Sequence, residues 1–327
     1  MDRPVALVHA PEGAGNATRM LAVAEAIEER GAAVSLAGGG PGADFLRMNG
    51  FEEFEPPTLD FIAKREGADP TLLAAIRHAA PRAGRRLRSL YGWLRRENPR
   101  VLLTDDPFAA LPAMLLGIPW FRIDHSNVAS YDDPFERLAF KLFNGLSLRA
   151  SEGFFFTSVY ENPYPTRKNL VPVGPIAHEP ADPDPVDPFD VLVIPGTYSN
   201  GFEEIASRLR DSGCSVTVVG DGDWEAVPSM FPYHRAASAV LCTGFSSIAE
   251  AVVAGTPCVV YPFIDCQQGV AERIATQGIE GIEVVHGVDA AVDALLDPPA
   301  KPVFENGAAD VAAHVLEFLD EDEAPDR

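Results

Sequence analysis

Residues 242–268 have the sequence CTGFSSIAEAVVAGTPCVVYPFIDCQQ, which predicts the local structure of one half of the chain. Residues 239–242 are a short apolar strand, and the apolar spacing of residues 246–254 indicates a helix that ends at Gly255. Residues 258–261 then form the next strand. This strand–helix–strand order is typical of a parallel α/β sheet.

The start of this predicted helix favours an anion. Gly244 breaks the preceding strand, and Ser246 and Ser247 lie in the first helical turn, where unpaired N–H groups and the positive end of the helix dipole converge. The Glu250 carboxylate lies one turn further and only accepts hydrogen bonds, so it suits two neighbouring hydroxyls. Polar side chains follow in a loop at the carboxyl end of the next strand, where open parallel sheets place ligands: Asp265, Gln267 and Gln268.

The N-terminus has a similar order of elements. Residues 5–9 are predicted as a strand, residues 11–19 as a glycine-rich turn, and residues 20–30 as a helix that Gly31 caps. A glycine-rich turn between a strand and a helix is shared by many α/β proteins.

Together these segments resemble the GT-B glycosyltransferases, in particular the group of the lipid-linked peptidoglycan N-acetylglucosaminyltransferases. The N-terminal turn is similar to the G-x-G-H-x-x-R loop of that family through Gly13, Gly15 and Arg19, with Asn16 at the histidine position. Because an amide does not take up a proton, this loop does not supply a catalytic imidazole. The positions of the first stretch that match the family are, in order, Gly244, Ser247, Glu250, Gly255, Pro257, Pro262, Asp265, Gln267 and Gln268.

The resemblance implies a GT-B fold of two Rossmann-like parallel-sheet domains that face each other across a cleft, with a C-terminal helix that crosses back to the first domain. We expect an acceptor-side domain over residues 1–172 and a nucleotide-sugar-binding domain over residues 191–306. The proline-rich residues 173–190 are the predicted linker, and residues 307–327 contain the crossing helix and an acidic tail.

The resemblance also implies the reaction. It is the transfer of a sugar from a nucleotide-diphosphate sugar, with a UDP-sugar as the first choice, to a hydroxyl acceptor, with inversion and without a metal or other cofactor. The helix that starts at Ser246 would hold the diphosphate, and Gly196 and Thr197 follow another strand end that can approach it. Met230 and Phe231 lie where relatives hold the nucleobase.

The acceptor hydroxyl then needs a general base on the first-domain side. The candidates are Asp106, which we favour, Asp105, Glu12 and His125. Each also has an ordinary interpretation: Glu12 as a turn residue, Asp106 as a helix cap, and His125 as a core histidine. Geometry decides among them, since proximity outranks nominal pKa.

The composition indicates habitat more than chemistry. The net charge of −22 is typical of a salt-rich, haloarchaeal cytoplasm, where surface repulsion is screened, and it argues against nucleic-acid binding. The four cysteines show no metal-ligand spacing, and the Asp-x-Asp triplets lie in predicted irregular segments, so we expect no metal. No apolar run is long enough to span a bilayer, which favours a cytoplasmic protein.

Residues 64–100 break the acidic trend with ten Lys or Arg residues against three acidic ones. Leu87, Leu90, Tyr91 and Leu94 form a helical apolar stripe. One interpretation is a packed helix with a solvated basic face. The other is peripheral membrane docking, or binding of a lipid-linked or anionic acceptor. The side chains predicted to point away from the stripe are Arg82, Arg85, Arg86, Trp93, Arg95 and Arg96.

Two other classes of function remain open from the sequence. Nucleotide-sugar hydrolases and epimerases share the scaffold and place water or the sugar itself where a transferase places an acceptor. A non-catalytic sugar-nucleotide-binding protein is the other class, and Asn16 favours it. The sequence predicts neither the sugar nor the oligomeric state.

Overall fold

The computed structural model of the chain describes residues 3–11, 13–58, 72–125, 134–164, 167–196, 199–222 and 224–323. Strands and helices alternate along this part of the chain, and the strands form two sheets in which every pairing is parallel.

The first sheet holds seven of the described strands, in the order β3-β2-β1-β4-β5-β6-β7. Its central strands are apolar and buried on both faces, as helices covering both sides of a parallel sheet require. The strands are β1 (Val5–Val8), β2 (Val34–Ala37), β3 (Glu53–Phe54), β4 (Val101–Thr104), β5 (Trp120–Asp124), β6 (Gly153–Thr157) and β7 (Leu170–Val173). The helices are α1 (Ala14–Glu28), α2 (Gly42–Met48), α3 (Leu72–Glu97), α4 (Pro107–Leu116) and α5 (Pro134–Ala150).

The second sheet holds five of the described strands, in the order β12-β11-β10-β8-β9. The strands are β8 (Phe189–Val193), β9 (Val216–Val218), β10 (Ala237–Cys242), β11 (Cys258–Val260) and β12 (Ile282–Val284). The helices are α6 (Phe202–Asp211), α7 (Phe231–Ala236), α8 (Phe245–Val253), α9 (Asp265–Gln277) and α10 (Val288–Leu296).

The last helix, α11 (Ala308–Glu323), crosses back to the first sheet, as the sequence predicted. Its Val311 and Val315 are fully buried against Met20 of α1 in the core below that sheet. Two glycines allow the crossing, because a Cβ on Gly307 would lie 2.6 Å from the carbonyl oxygen of Gly174.

Two predicted boundaries were wrong. α1 begins at Ala14, so Gly15, Asn16 and Arg19 lie within the helix and not in a turn. The packing of the buried α1 face on the sheet overrides the weak helix propensities of glycine and asparagine. Likewise Asp265 begins α9, so the polar side chains after β11 belong to a helix start and not to a loop.

The predicted basic face of α3 was also partly wrong. Arg86 is fully buried, and Trp93 is 4% exposed and stacks on Phe54 with ring centroids 6.0 Å apart. Both residues share a helix face with Leu90, at four residues before it and three after it, so they belong to the buried side. The indole therefore cannot meet a lipid headgroup. The predicted face retains the exposed side chains of Arg82, Arg85, Arg95 and Arg96.

Candidate functional site

Two helix N-termini meet where the carboxyl edges of the two sheets face each other. Gly13 is the N-cap of α1 and Gly244 that of α8, and no side chain of the described residues caps either helix. A Cβ on either glycine would have no described heavy atom within 4 Å. The helix starts are close, since a Cβ on Gly15 would lie 2.1 Å from Ser246 Oγ. Unpaired N–H groups of both helices therefore lie close to each other, which favours an anion.

An aromatic contact joins the two domains beside these helix starts. His125, directly after β5, stacks on Phe245 of α8 with ring centroids 4.3 Å apart and an interplanar angle of 7°. The Tyr160 hydroxyl donates a hydrogen bond to the His125 carbonyl at 3.1 Å. Burial raises the pKa of Tyr160 to about 12, so this hydroxyl stays protonated. His125 is therefore held against Phe245, the first residue of α8.

Glu250 lies one turn into α8, as predicted, and is 8% exposed. Its Oε2 lies 3.2 Å from Nε2 of His234, a fully buried side chain of α7. Glu250 was predicted from the sequence as a donor-binding residue, whereas His234 was not. No spacing rule links the two residues, because they belong to different helices.

Thr243, directly after β10, contacts the segments that follow two neighbouring strands of the second sheet. A Cβ on Gly196, after β8, would lie 2.6 Å from Thr243 Oγ1. Gln267 Nε2 donates to the same oxygen at 3.4 Å, while Gln267 Oε1 accepts from the Phe263 N–H at 2.9 Å. The Gln267 amide thus holds the loop before α9 beside the end of β10, next to Ser247 and the other residues of the α8 start.

The remaining predicted donor residues have different surroundings. Gln268 is exposed and lines a groove of about 450 Å³ together with Glu272 and His286. Met230 is the N-cap of α7, and the Phe231 side chain is buried. The Met230 carbonyl accepts from the His234 N–H at 3.0 Å, and the Phe231 N–H donates to Ser229 Oγ at 3.2 Å. The Asp265 side chain and all of Thr197 lie outside the described atoms.

Arg19 links the predicted first-domain residues. Its guanidinium donates to Asn16 Oδ1 at 2.9 Å and to Asp105 Oδ2 at 2.6 Å, and Nη1 lies 3.2 Å from His125 Nδ1. The other oxygen of Asp105 accepts from the Ala10 N–H at 2.7 Å. Asp105 is thus held in a buried, charge-assisted pair, and Asn16 is oriented by its amide oxygen.

The same contact defines the protonation of His125. A guanidinium only donates, so Nδ1 of His125 accepts and the proton of the neutral ring lies on Nε2. Burial, and after it the Arg19 charge, lowers the pKa of His125 to about 4. At neutral pH the ring therefore presents an N–H donor and has no lone pair free to accept a proton.

Asp106 has the helix-cap role that was its alternative interpretation. Its Oδ1 accepts from the Phe108 N–H at 2.8 Å, and its Oδ2 accepts from Nε of the buried Arg86 at 2.8 Å. Burial raises the pKa of Asp106, and the Arg86 charge opposes that rise. The side chain is 1% exposed, so its contacts lie within the first domain. This pairing was not predicted, because the Arg86 side chain was expected to point into solvent.

A second buried pair, also not predicted, joins the end of β1 to β3. His9 Nε2 lies 2.8 Å from Glu53 Oε2, and His9 Nδ1 lies 3.0 Å from the Ala10 carbonyl oxygen. Both partners only accept, so the ring is an imidazolium. Burial lowers the pKa of His9, but the Glu53 carboxylate more than offsets this, and the net shift is upward. A Cβ on Gly38 would lie 2.2 Å from the His9 ring, so only glycine fits there.

No group of three or more His, Cys, Asp or Glu side chains in the described part of the chain is placed to hold a metal ion. Over the same residues, no helix combines the length and the apolar character needed to cross a membrane.

No family model and no curated protein matches the sequence. Solved structures match over almost its whole length. The glycosyltransferase SsfS6 of Streptomyces sp. SF2575, complexed with thymidine diphosphate, is 16% identical, with 96% of this chain and 99% of that chain covered and a TM-score of 0.63. UGT89C1 of Arabidopsis thaliana, complexed with UDP-L-rhamnose, is 16% identical, with coverages of 97% and 94% and a TM-score of 0.62.

MurG of Acinetobacter baumannii is 15% identical, with 96% of this chain and 100% of that chain covered and a TM-score of 0.59. At these identities the likeness shows the fold alone. Two parallel-sheet α/β domains, a helix that crosses back and these structural matches give the chain the GT-B fold, and the fold predicted from the sequence is confirmed.

Proposed function

We propose that the protein is an inverting, metal-independent glycosyltransferase that uses a nucleotide-diphosphate sugar, with a UDP-sugar as the first choice. The observation that carries this proposal is the meeting of two uncapped helix N-termini, one from each domain, at Gly15 and Ser246. Two helix N-termini that lie side by side favour a doubly charged group such as a diphosphate, because the positive ends of both helix dipoles face it. The nucleoside diphosphates bound to SsfS6 and UGT89C1 support this assignment.

In this proposal the donor extends along the second domain. The diphosphate lies beside the touching starts of α1 and α8, and Glu250 accepts hydrogen bonds from the ribose hydroxyls. The start of α7, at Met230 and Phe231, contacts the nucleobase. As the bond between the anomeric carbon and the diphosphate oxygen breaks, the helix N-termini stabilise the charge that develops on the leaving group.

The general base of the proposed reaction is Glu12. Of the four sequence candidates, Asp105 and Asp106 are paired with arginines, and Nδ1 of His125 faces a guanidinium. Glu12 lies outside the described residues but directly precedes Gly13, the N-cap of α1. It would accept the proton of the acceptor hydroxyl as the acceptor oxygen attacks the anomeric carbon. We expect Glu12→Gln to keep the donor affinity and to lower kcat at least about 100-fold, and an unchanged kcat would refute this role.

The donor assignment is tested by calorimetric titration of UDP-, GDP- and dTDP-sugars into the protein in high salt, which screens its net charge of −22. We expect one nucleotide class to bind and the free sugar not to bind. Absence of binding by every nucleotide sugar contradicts the proposal. Donor breakdown with water as the only acceptor would instead indicate the hydrolase alternative.

Gly15→Ala is expected to weaken donor binding about tenfold. The new Cβ would lie 2.1 Å from Ser246 Oγ and 2.6 Å from Ser246 Cβ, so the helix starts must separate and the shared site must widen. Ser246→Gly in the same chain removes both clashing atoms and should recover part of the affinity.

The matched control for this prediction is Gly84→Ala in α3, where a new Cβ has no described heavy atom within 4 Å. We expect this variant to bind the donor like the parent protein. If Gly15→Ala also binds like the parent protein, the two helix starts do not form one site.

A further inference from the structure

His234 contacts the Glu250 carboxylate and has no role in the function proposed above. His234 lies in the last turn of α7, and its side chain is fully buried. Its Nε2 lies 3.2 Å from Glu250 Oε2, and its Nδ1 is buried without a partner among the described residues. The contact to Glu250 is therefore the one hydrogen bond that the described structure gives this ring.

The backbone fixes the position of this imidazole. The His234 N–H donates to the Met230 carbonyl at 3.0 Å, and the His234 carbonyl accepts from Thr256 Oγ1 at 2.6 Å. Thr256 lies in the turn that follows α8, the helix of Glu250, so this bond ties the His234 backbone to that helix. The ring itself is restrained by its complete burial.

The chemistry of the pair assigns the roles. An ionised carboxylate only accepts, so Nε2 of His234 carries the hydrogen and donates it to Oε2. This bond fixes the rotation of the carboxylate in a site where Glu250 is 8% exposed. Glu250 Oε1 and the second lone pair of Oε2 remain available to accept hydrogen bonds. A carboxylate that rotates freely can adapt to one hydroxyl or to two. A carboxylate whose rotation is fixed matches only one arrangement of hydroxyls, so it can distinguish a pair of hydroxyls from a single one.

We propose that His234 is a positioning residue that fixes the Glu250 carboxylate for a ribose diol, so that the protein prefers ribonucleotides over 2′-deoxyribonucleotides. This inference rests on the proposed function and deepens it. The helix that carries His234 at its end carries at its start the Met230 segment to which we assign the nucleobase. α7 therefore joins the recognition of the base to the recognition of the sugar next to it.

The test is the affinity ratio between UDP and 2′-deoxy-UDP, or between GDP and 2′-deoxy-GDP if the titrations select guanine. We expect the parent protein to prefer the ribonucleotide by at least about tenfold, since the 2′-deoxyribonucleotide lacks one hydrogen bond to a charged group. His234→Leu should reduce the ratio to about one. His234→Gln retains an N–H donor near the position of Nε2 and should keep most of the preference.

The Glu250→Ala variant distinguishes failure of the positioning role from failure of the donor site. If Glu250→Ala abolishes the preference and His234→Leu keeps it, the positioning role is refuted while the donor site stands. If Glu250→Ala leaves nucleotide binding unchanged, both the donor site and this inference are refuted. A loss of affinity in His234→Leu that is equal for both nucleotides indicates a purely structural histidine and also refutes the inference. His234→Gln keeps the test valid if the leucine variant does not fold.

Discussion

Glu250→Ala is expected to weaken binding of the nucleotide sugar more than about 100-fold. The carboxylate is proposed to accept hydrogen bonds from two ribose hydroxyls, and each such bond to a charged group contributes about 1.5–3 kcal/mol. The loss of both therefore exceeds about 2.7 kcal/mol, which corresponds to a factor of about 100. Calorimetric titration of the donor into the variant measures this change.

A matched control for this substitution is Glu272→Ala. Glu272 is exposed on α9 in the groove that Gln268 lines, and neither helix start lines that groove. We expect its removal to leave the donor affinity within a factor of about two. Circular dichroism of Glu250→Ala checks that α8 is retained, since Glu250 is also the partner of the buried His234. A folded Glu250→Ala variant with the parent affinity would contradict the ribose assignment.

Arg86→Ala is expected to destabilise the protein by about 3–5 kcal/mol. Arg86 is fully buried and pairs with Asp106, and it also donates to the carbonyl groups of Gly38 and Pro57. Truncation leaves the Asp106 carboxylate buried without its counter-charge, which is the costly way to break a buried ion pair. The free energy of unfolding, measured by denaturant titration in high salt, reports this change.

The neighbouring arginine provides the control for this prediction. Arg85 is exposed on the same turn of α3, and Arg85→Ala is expected to change the free energy of unfolding by no more than about 0.5 kcal/mol. Comparable effects of the two substitutions would contradict the buried position of Arg86. The prediction concerns stability, so it does not depend on the proposed reaction.

The sequence predicted the second domain best, because its signals are local. The β10–α8–β11 unit follows from a glycine break, an apolar helical period and a glycine after the helix, all within one short segment. Glu250 could be placed one turn into α8 from spacing alone. The crossing of α11 came from the family resemblance, since no local signal states which domain a terminal helix contacts.

The contacts that shape the first-domain side could not be predicted in this way. Arg86 and Asp106 are 20 residues apart, and His9 and Glu53 are 44 apart. Arg86 reaches Asp106 from α3, and Glu53 reaches His9 from β3, so each pair depends on how separate elements pack. A basic residue within a run of arginines resembles a solvated one until its partner is known. The approach of Gly15 to Ser246 joins two domains, so no local pattern could indicate it.

The most direct test of the proposed site is amide hydrogen exchange of the protein with and without the nucleotide sugar that binds. A diphosphate held against the two helix starts must protect the unpaired N–H groups of both, at residues 13–15 for α1 and residues 244–247 for α8. We predict that both segments gain protection together at saturating donor. Protection of only one segment, or of neither, would contradict the claim that the two domains bind the donor jointly.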